Sequence, residues 1–88
     1  MTDIRWSQLK SERLKGTRGV SFEEIISSES ELIAVKSNPK RADQNIMLFK
    51  LKGYLWIVPY VEEKDHIFLK TLYPSRKYTK LYRKGELK

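Results

Sequence analysis

Apolar positions along this chain change their period about a third of the way in. Ile4 to Lys15 carries Trp6, Leu9 and Leu14 among polar residues, one apolar stripe of a short helix, with room for an edge strand over Thr2 to Ile4 before it. Gly16 and Gly19 break that pattern. Ser21 and Glu24 then have capping-box spacing, and Val20 and Ile25 can close a hydrophobic staple around it. The spacing predicts a second short helix over Ser21 to Ser28.

From there the period is two. Leu32 to Lys36 reads as a strand, Ser37-Asn38-Pro39-Lys40 as a turn, and Asn45 to Lys52 as a second strand. On that second strand Ile46, Leu48 and Lys50 share one face, and Met47, Phe49 and Leu51 the other. Lys52-Gly53 makes a tight turn into Tyr54 to Val61, apolar on both faces and so expected at the centre of a sheet. Pro59 cannot donate to a ladder and must sit at a bulge or beside an unpaired segment. Glu62 to Asp65 is a polar loop, His66 to Tyr73 a fourth strand, and Ser75 caps a terminal helix over Arg76 to Lys84. The fold class is α+β: two N-terminal helices packed on a four- or five-stranded, mainly antiparallel sheet, with a basic C-terminal helix, all in one domain spanning 1–88.

Charge changes this picture most. The formal net charge is +7, and it is unevenly spread. Lys70, Arg76, Lys77, Lys80, Arg83, Lys84 and Lys88 face Glu86 alone between Ile67 and Lys88, whereas Glu23, Glu24, Glu29 and Glu31 lie in a stretch with no base. Such a basic end suits an anionic partner, and RNA is the expected one. There is no cysteine, which excludes thiolate metal sites and cysteine nucleophiles and fits a reducing, cytoplasmic setting. Met1 to Lys10 has no apolar run like that of a signal peptide, and the Tyr54–Val61 run is too short to span a bilayer, so no membrane is expected. Carboxylates and the single histidine lack ligand spacing, and there is no phosphate-binding loop or dinucleotide fingerprint; no metal and no cofactor are called for.

Two segments, Gly19-Val20-Ser21-Phe22-Glu23-Glu24 and Leu69 to Tyr82, with Val58-Pro59 in the central strand and Phe68 to Lys77 after it, together resemble the BrnT family of ribonuclease toxins. These are distant relatives of RelE within the RelE/ParE-like superfamily, from bacterial type II toxin–antitoxin systems. The resemblance spans nearly the whole chain in order and length. It implies a RelE-like fold, mRNA cleavage that inhibits translation, and neutralisation by a cognate antitoxin of ribbon-helix-helix (CopG-like) type. It also implies contact with RNA or the ribosome, and with operator DNA only through the antitoxin complex. One departure stands out: the family usually reads Lys-His-Gly before the "VSFE" box, and here Arg18-Gly19 occupies that place, so a role for that histidine does not transfer.

Metal-independent RNA cleavage needs a base for the 2′-hydroxyl proton, cations for the phosphorane and an acid for the leaving oxygen. A two-histidine mechanism is excluded, since His66 stands alone. Lys, Arg, Glu and Tyr remain. Lys70, flanked in alternation by the apolar Phe68 and Leu72, is the sharpest catalytic candidate, although a lysine near an edge also simply snorkels to water. Arg76 and Lys77 join it as catalytic candidates, because cations at a helix N-terminus oppose the macrodipole and can serve a phosphate. Lys80, Arg83 and Lys84, with Arg5 and Lys10 on the first helix, are the RNA-binding candidates. Tyr54, Trp56 and Tyr60, and likewise Tyr78 and Tyr82, fit core packing better than base stacking. The alternative to an enzyme is a non-catalytic basic RNA- or DNA-binding module, or an inactive toxin-fold interaction protein.

Overall fold

A computed structural model describes residues 3–87; Thr2 of the expected edge strand and the cation Lys88 lie outside the described residues. The described residues are α+β, with three helices and a mixed sheet. It opens on a strand rather than a helix: β1 (Asp3–Arg5) pairs in parallel with β5 (His66–Leu69), so Ile4 and Arg5 belong to the sheet. The sheet runs β1-β5-β4-β3-β2, where β2 is Glu31–Ser37, β3 is Asn45–Leu51 and β4 is Tyr54–Glu62. A short β6 (Tyr73–Pro74) also pairs with β4. β4 is central, as its two-sided apolar pattern requires.

The first helix, α1, runs from Gln8 to Arg18. Ser7 caps it by accepting from the Lys10 N–H, and Gly19 closes it at φ 81°, where a side chain would be strained. Gly16 does not break the helix; one interior glycine costs roughly 1 kcal/mol, which the packed ends outweigh. The second, α2, is a single turn, Phe22–Ile25, with the capping box of Ser21 and Glu24 formed. It stops early because Ser27 and Ser30 turn their hydroxyls onto the carbonyls of Glu24 and Ile25. Ser11 ties α1 to α2. Its buried hydroxyl donates to Glu23 and accepts from the Phe22 N–H, while the Trp6 indole also donates to Glu23. These bonds, the Ser11 hydroxyl first, hold the Glu23 carboxyl below its ordinary range; the Lys15 ammonium at 2.7 Å does the same for Glu24.

Two apolar layers sandwich the sheet. Leu14, Val20, Phe22 and Ile25 pack on Met47, Phe49, Trp56, Val58, Tyr60, Leu69 and Leu72, so α1 and α2 cover one face. Ile46, Leu48 and Ile57, with Tyr73 and Tyr78, form a smaller core on the other face, which α3 (Arg76–Arg83) covers. Lys52 (φ 55°) and Gly53 (φ 77°) form the two-residue type I′ turn between β3 and β4.

The expected fourth strand divides at Lys70 to Leu72. Tyr60 pairs with Leu69, but Ile57 pairs with Tyr73, so one extra residue is accommodated between these rungs. Pro59 lies opposite. It accepts from the Lys70 N–H at 2.8 Å and has no N–H to return. The extra residue inverts the alternation: Leu72 enters the α1–α2 core, whereas Phe68 and Lys70 sit on the other face. Phe68 and Leu72 therefore do not flank Lys70 on one face, as simple alternation predicts.

α3 docks through polar groups at its start. The Ser75 N–H donates to the Leu55 carbonyl, and the Leu55 N–H donates to Thr79 Oγ1, which itself donates to the Ser75 carbonyl at 2.6 Å. Ser75 Oγ accepts from the Tyr78 N–H. Thr79 is thus the buried residue of the helix; Tyr78, Leu81 and Tyr82 are only half-buried.

Thr79→Val leaves the buried Leu55 N–H unpaired, and should lower the unfolding free energy by about 1–3 kcal/mol in urea titrations, while Thr79→Ser recovers most of it. Glu23 has a depressed folded pKa, so its contribution is present above the unfolded-state pKa and lost as pH falls through the folded value. Stability should decline below about pH 5, and Glu23→Gln should flatten that decline in thermal melts across the acid range.

Candidate anion-binding site

The break in the sheet is where cations gather. A groove of about 570 Å³ is lined by Lys10 from α1, Lys40 and Arg41 from the β2–β3 loop, and Lys70 and Thr71 from the bulge, over a floor of Pro59, Val61 and Tyr73. Asp43 is the one carboxylate in that lining. Among the described residues none of these four cations forms an ion pair, and the Lys70 ammonium lies 5.7 Å from the Phe68 ring centre. Four cations around a single carboxylate repel one another, and the excess positive charge favours a polyanion there.

Arg18 stands at the same break. Its guanidinium donates to the Leu72 carbonyl, reaches Thr71 Oγ1 at 3.4 Å and lies 6.0 Å from the Tyr73 ring centre. At i, i+4 and i+8, Lys10, Leu14 and Arg18 form one stripe of α1. Arg18 thus holds the bulge rather than projecting free into the groove.

The other candidates lie apart from Lys70. Arg76, Lys77, Lys80 and Lys84 surround Leu81 in a second groove of about 410 Å³ on the outer side of α3. Arg76, Lys80 and Arg83 also border a hollow with Tyr54. Lys77 lies over the Tyr78 ring at 5.7 Å, and Arg83 donates to the Gly53 carbonyl, bracing the β3–β4 turn. Lys70 and Arg76 thus line different grooves, on either side of the strand–helix junction. Arg5 is elsewhere again, on β1, paired with Asp3 at 3.2 Å.

His66 sits outside all of these, in a pocket with Glu62, Glu63 and Asp65. Its Nδ1 lies 2.8 Å from Asp65, and that contact holds the Asp65 carboxyl low. Trp56 and Tyr60 are core residues, and burial pushes the Tyr60 phenol up, so it stays a neutral packing ring. Lys40, Arg41, Thr71, Tyr73 and Arg18 escaped the reading of the sequence as site residues. The Lys40-Arg41 pair in a Pro-containing turn was the visible signal. Among the described residues no helix is long and apolar enough to cross a membrane. No protein-family model, no curated protein and no solved structure matches this chain.

On a fluorescent homopolymer RNA, Lys40→Ala, Lys70→Ala and Lys80→Ala should each reduce the slope of log K against log salt by about 0.7, the increment of one phosphate contact on a single strand. Arg5→Ala, whose charge Asp3 already offsets, should leave the slope unchanged in the same anisotropy titrations.

Proposed function

We propose that this chain is a BrnT-like endoribonuclease toxin with a RelE-like fold, which cleaves mRNA in the bacterial cytoplasm, stops translation and is neutralised by a cognate antitoxin of ribbon-helix-helix type. The observation that carries the reading is the convergence of Lys10, Lys40, Arg41 and Lys70 from three separate segments around a groove with a single carboxylate. The ordered resemblance of Gly19–Glu24 and Leu69–Tyr82 to the family supplies the chemistry.

In this reading a phosphodiester lies in the Lys70 groove. The 2′-hydroxyl attacks phosphorus and loses its proton to a base, the P–O5′ bond breaks, and the leaving oxygen takes a proton, yielding a 2′,3′-cyclic phosphate and a 5′-hydroxyl. Lys70, exposed at the bulge, is the catalytic cation. Lys10, Lys40 and Arg41 share the charge on the phosphorane's neighbours, and an arginine suits bidentate contact there. Arg76 and Lys77, set in the second groove, bind RNA along α3 with Lys80, Arg83 and Lys84 instead of taking part in the chemistry.

One observation favours a second reading, a basic RNA-binding module without catalysis: Arg18 stands in the family's histidine position and is committed to the Leu72 carbonyl. Cleavage assays separate the two. Purified protein should cut labelled RNA, alone or with ribosomes, and its expression should arrest bacterial growth. Lys70→Ala should lower cleavage by about 10²–10⁴-fold with the thermal melt unchanged, whereas Lys77→Ala should act mainly on affinity. RNA left intact under both conditions, yet bound with a steep salt dependence, establishes the binding module.

A further inference from the structure

β2 ends the sheet, and its outer edge pairs with no strand among the described residues. Edge strands are commonly blunted by proline, by charge or by a bulge; β2 has a bulge, which leaves apolar side chains along the edge. Here the middle of the strand is Leu32-Ile33-Ala34-Val35, and Leu32 and Val35 are 50% and 54% exposed. Charge appears only toward the ends, as Glu31 and Lys36.

The bulge in β2 gives this edge an unusual symmetry. Leu32 pairs with Phe49 and Ala34 with Leu48, leaving Ile33 as the extra residue, and Ile33 and Ala34 both pack on the α3-side core. Leu32 and Val35, opposite Phe49 and Met47, therefore point to the α1–α2 face. Glu31 and Lys36, opposite Lys50 and Ile46, point to the other face. About the Ile33–Ala34 peptide the strand is thus a palindrome of facing, apolar against apolar and negative against positive. In a strand without the bulge Leu32 and Val35 would point to opposite faces, and no such match would exist.

We infer that β2 pairs antiparallel with β2 of a second copy, about a two-fold axis perpendicular to the sheet beside the Ile33–Ala34 peptide. That operator sets Glu31 against the partner's Lys36 and Leu32 against the partner's Val35, each pair on one common face. It repeats both contacts by symmetry, as a two-fold interface must. A slip of one residue would set Leu32 against the partner's Lys36 and cross the faces, so the register is specified. The ladder gives each copy's edge N–H and C=O groups partners and shields Leu32 and Val35 from water. The contact is small for a protein interface, so the dimer is weak, with a dissociation constant of roughly 10–100 µM. Residues 31–36 line neither the Lys70 groove nor the α3 groove, and the inference stands whether or not the chain cuts RNA.

Sedimentation equilibrium from about 1 µM to about 1 mM at roughly 0.15 M salt tests this. The native chain should pass from monomer to dimer across that range. Glu31→Lys sets lysine against lysine at two symmetric places and should weaken association about tenfold or more. The double variant Glu31→Lys/Lys36→Glu restores both pairs with reversed sense and should return the dissociation constant to within about threefold of the native value. Val35→Lys should abolish dimerisation, and Leu32→Thr, which keeps strand propensity, should weaken it; thermal melts confirm that each variant is folded. A native chain that stays monomeric throughout, a dimer indifferent to Glu31→Lys, or a double variant that fails to recover would each overturn the inference.

Discussion

Pro59 has no amide hydrogen, and much of this molecule is arranged around that gap. A central strand with a missing donor cannot complete its ladder, so the strand opposite bulges at Lys70 to Leu72. The bulge inverts the side-chain alternation. Leu72 joins the α1–α2 core, Tyr73 joins the core under α3, and Lys70 is left on the surface between them. The same step brings Ser75 opposite Leu55, which starts α3 against the sheet. The Leu72 carbonyl that faces this region is taken by Arg18.

Electrostatics is organised around that break rather than along the C-terminal segment. Lys70 contributes charge from the bulge, Lys40 and Arg41 from a loop distant in sequence, and Lys10 from α1. The acidic stretch in the first half is not a matching opposite pole. Glu23 and Glu24 are spent on internal hydrogen bonds and the Lys15 pair, which explains their lowered pKa values. α3 carries its own cations outward while Ser75 and Thr79 anchor it inward, so its positive face stays exposed.

Much of the fold was legible in the residues. The capping box at Ser21, the Ser75 cap, the Lys52-Gly53 turn and the two faces of Asn45–Leu51 are short-range features, decided by the backbone chemistry of neighbours in the chain. Pro59 announced that something opposite it must be irregular. The residues left room for an edge strand near Ile4, but its parallel pairing with β5 was not legible, because the partner lies more than sixty positions away. The bulge in β2 is hidden for a similar reason: Leu32-Ile33-Ala34-Val35 is uniformly apolar, and its facing is set by the rungs of β3.

By itself, then, the sequence determined the α+β class, the caps at Ser21 and Ser75, the Lys52-Gly53 turn and the excess positive charge. Only the tertiary structure decided which cations share a groove. It joined Lys70 to Lys10, Lys40 and Arg41 and set Arg76 and Lys77 apart, although the latter are nearer in the chain. The physical reason is that one inserted residue opposite a proline turns a strand over. Alternation read along the chain loses its phase at that point, and only pairing across the sheet restores it.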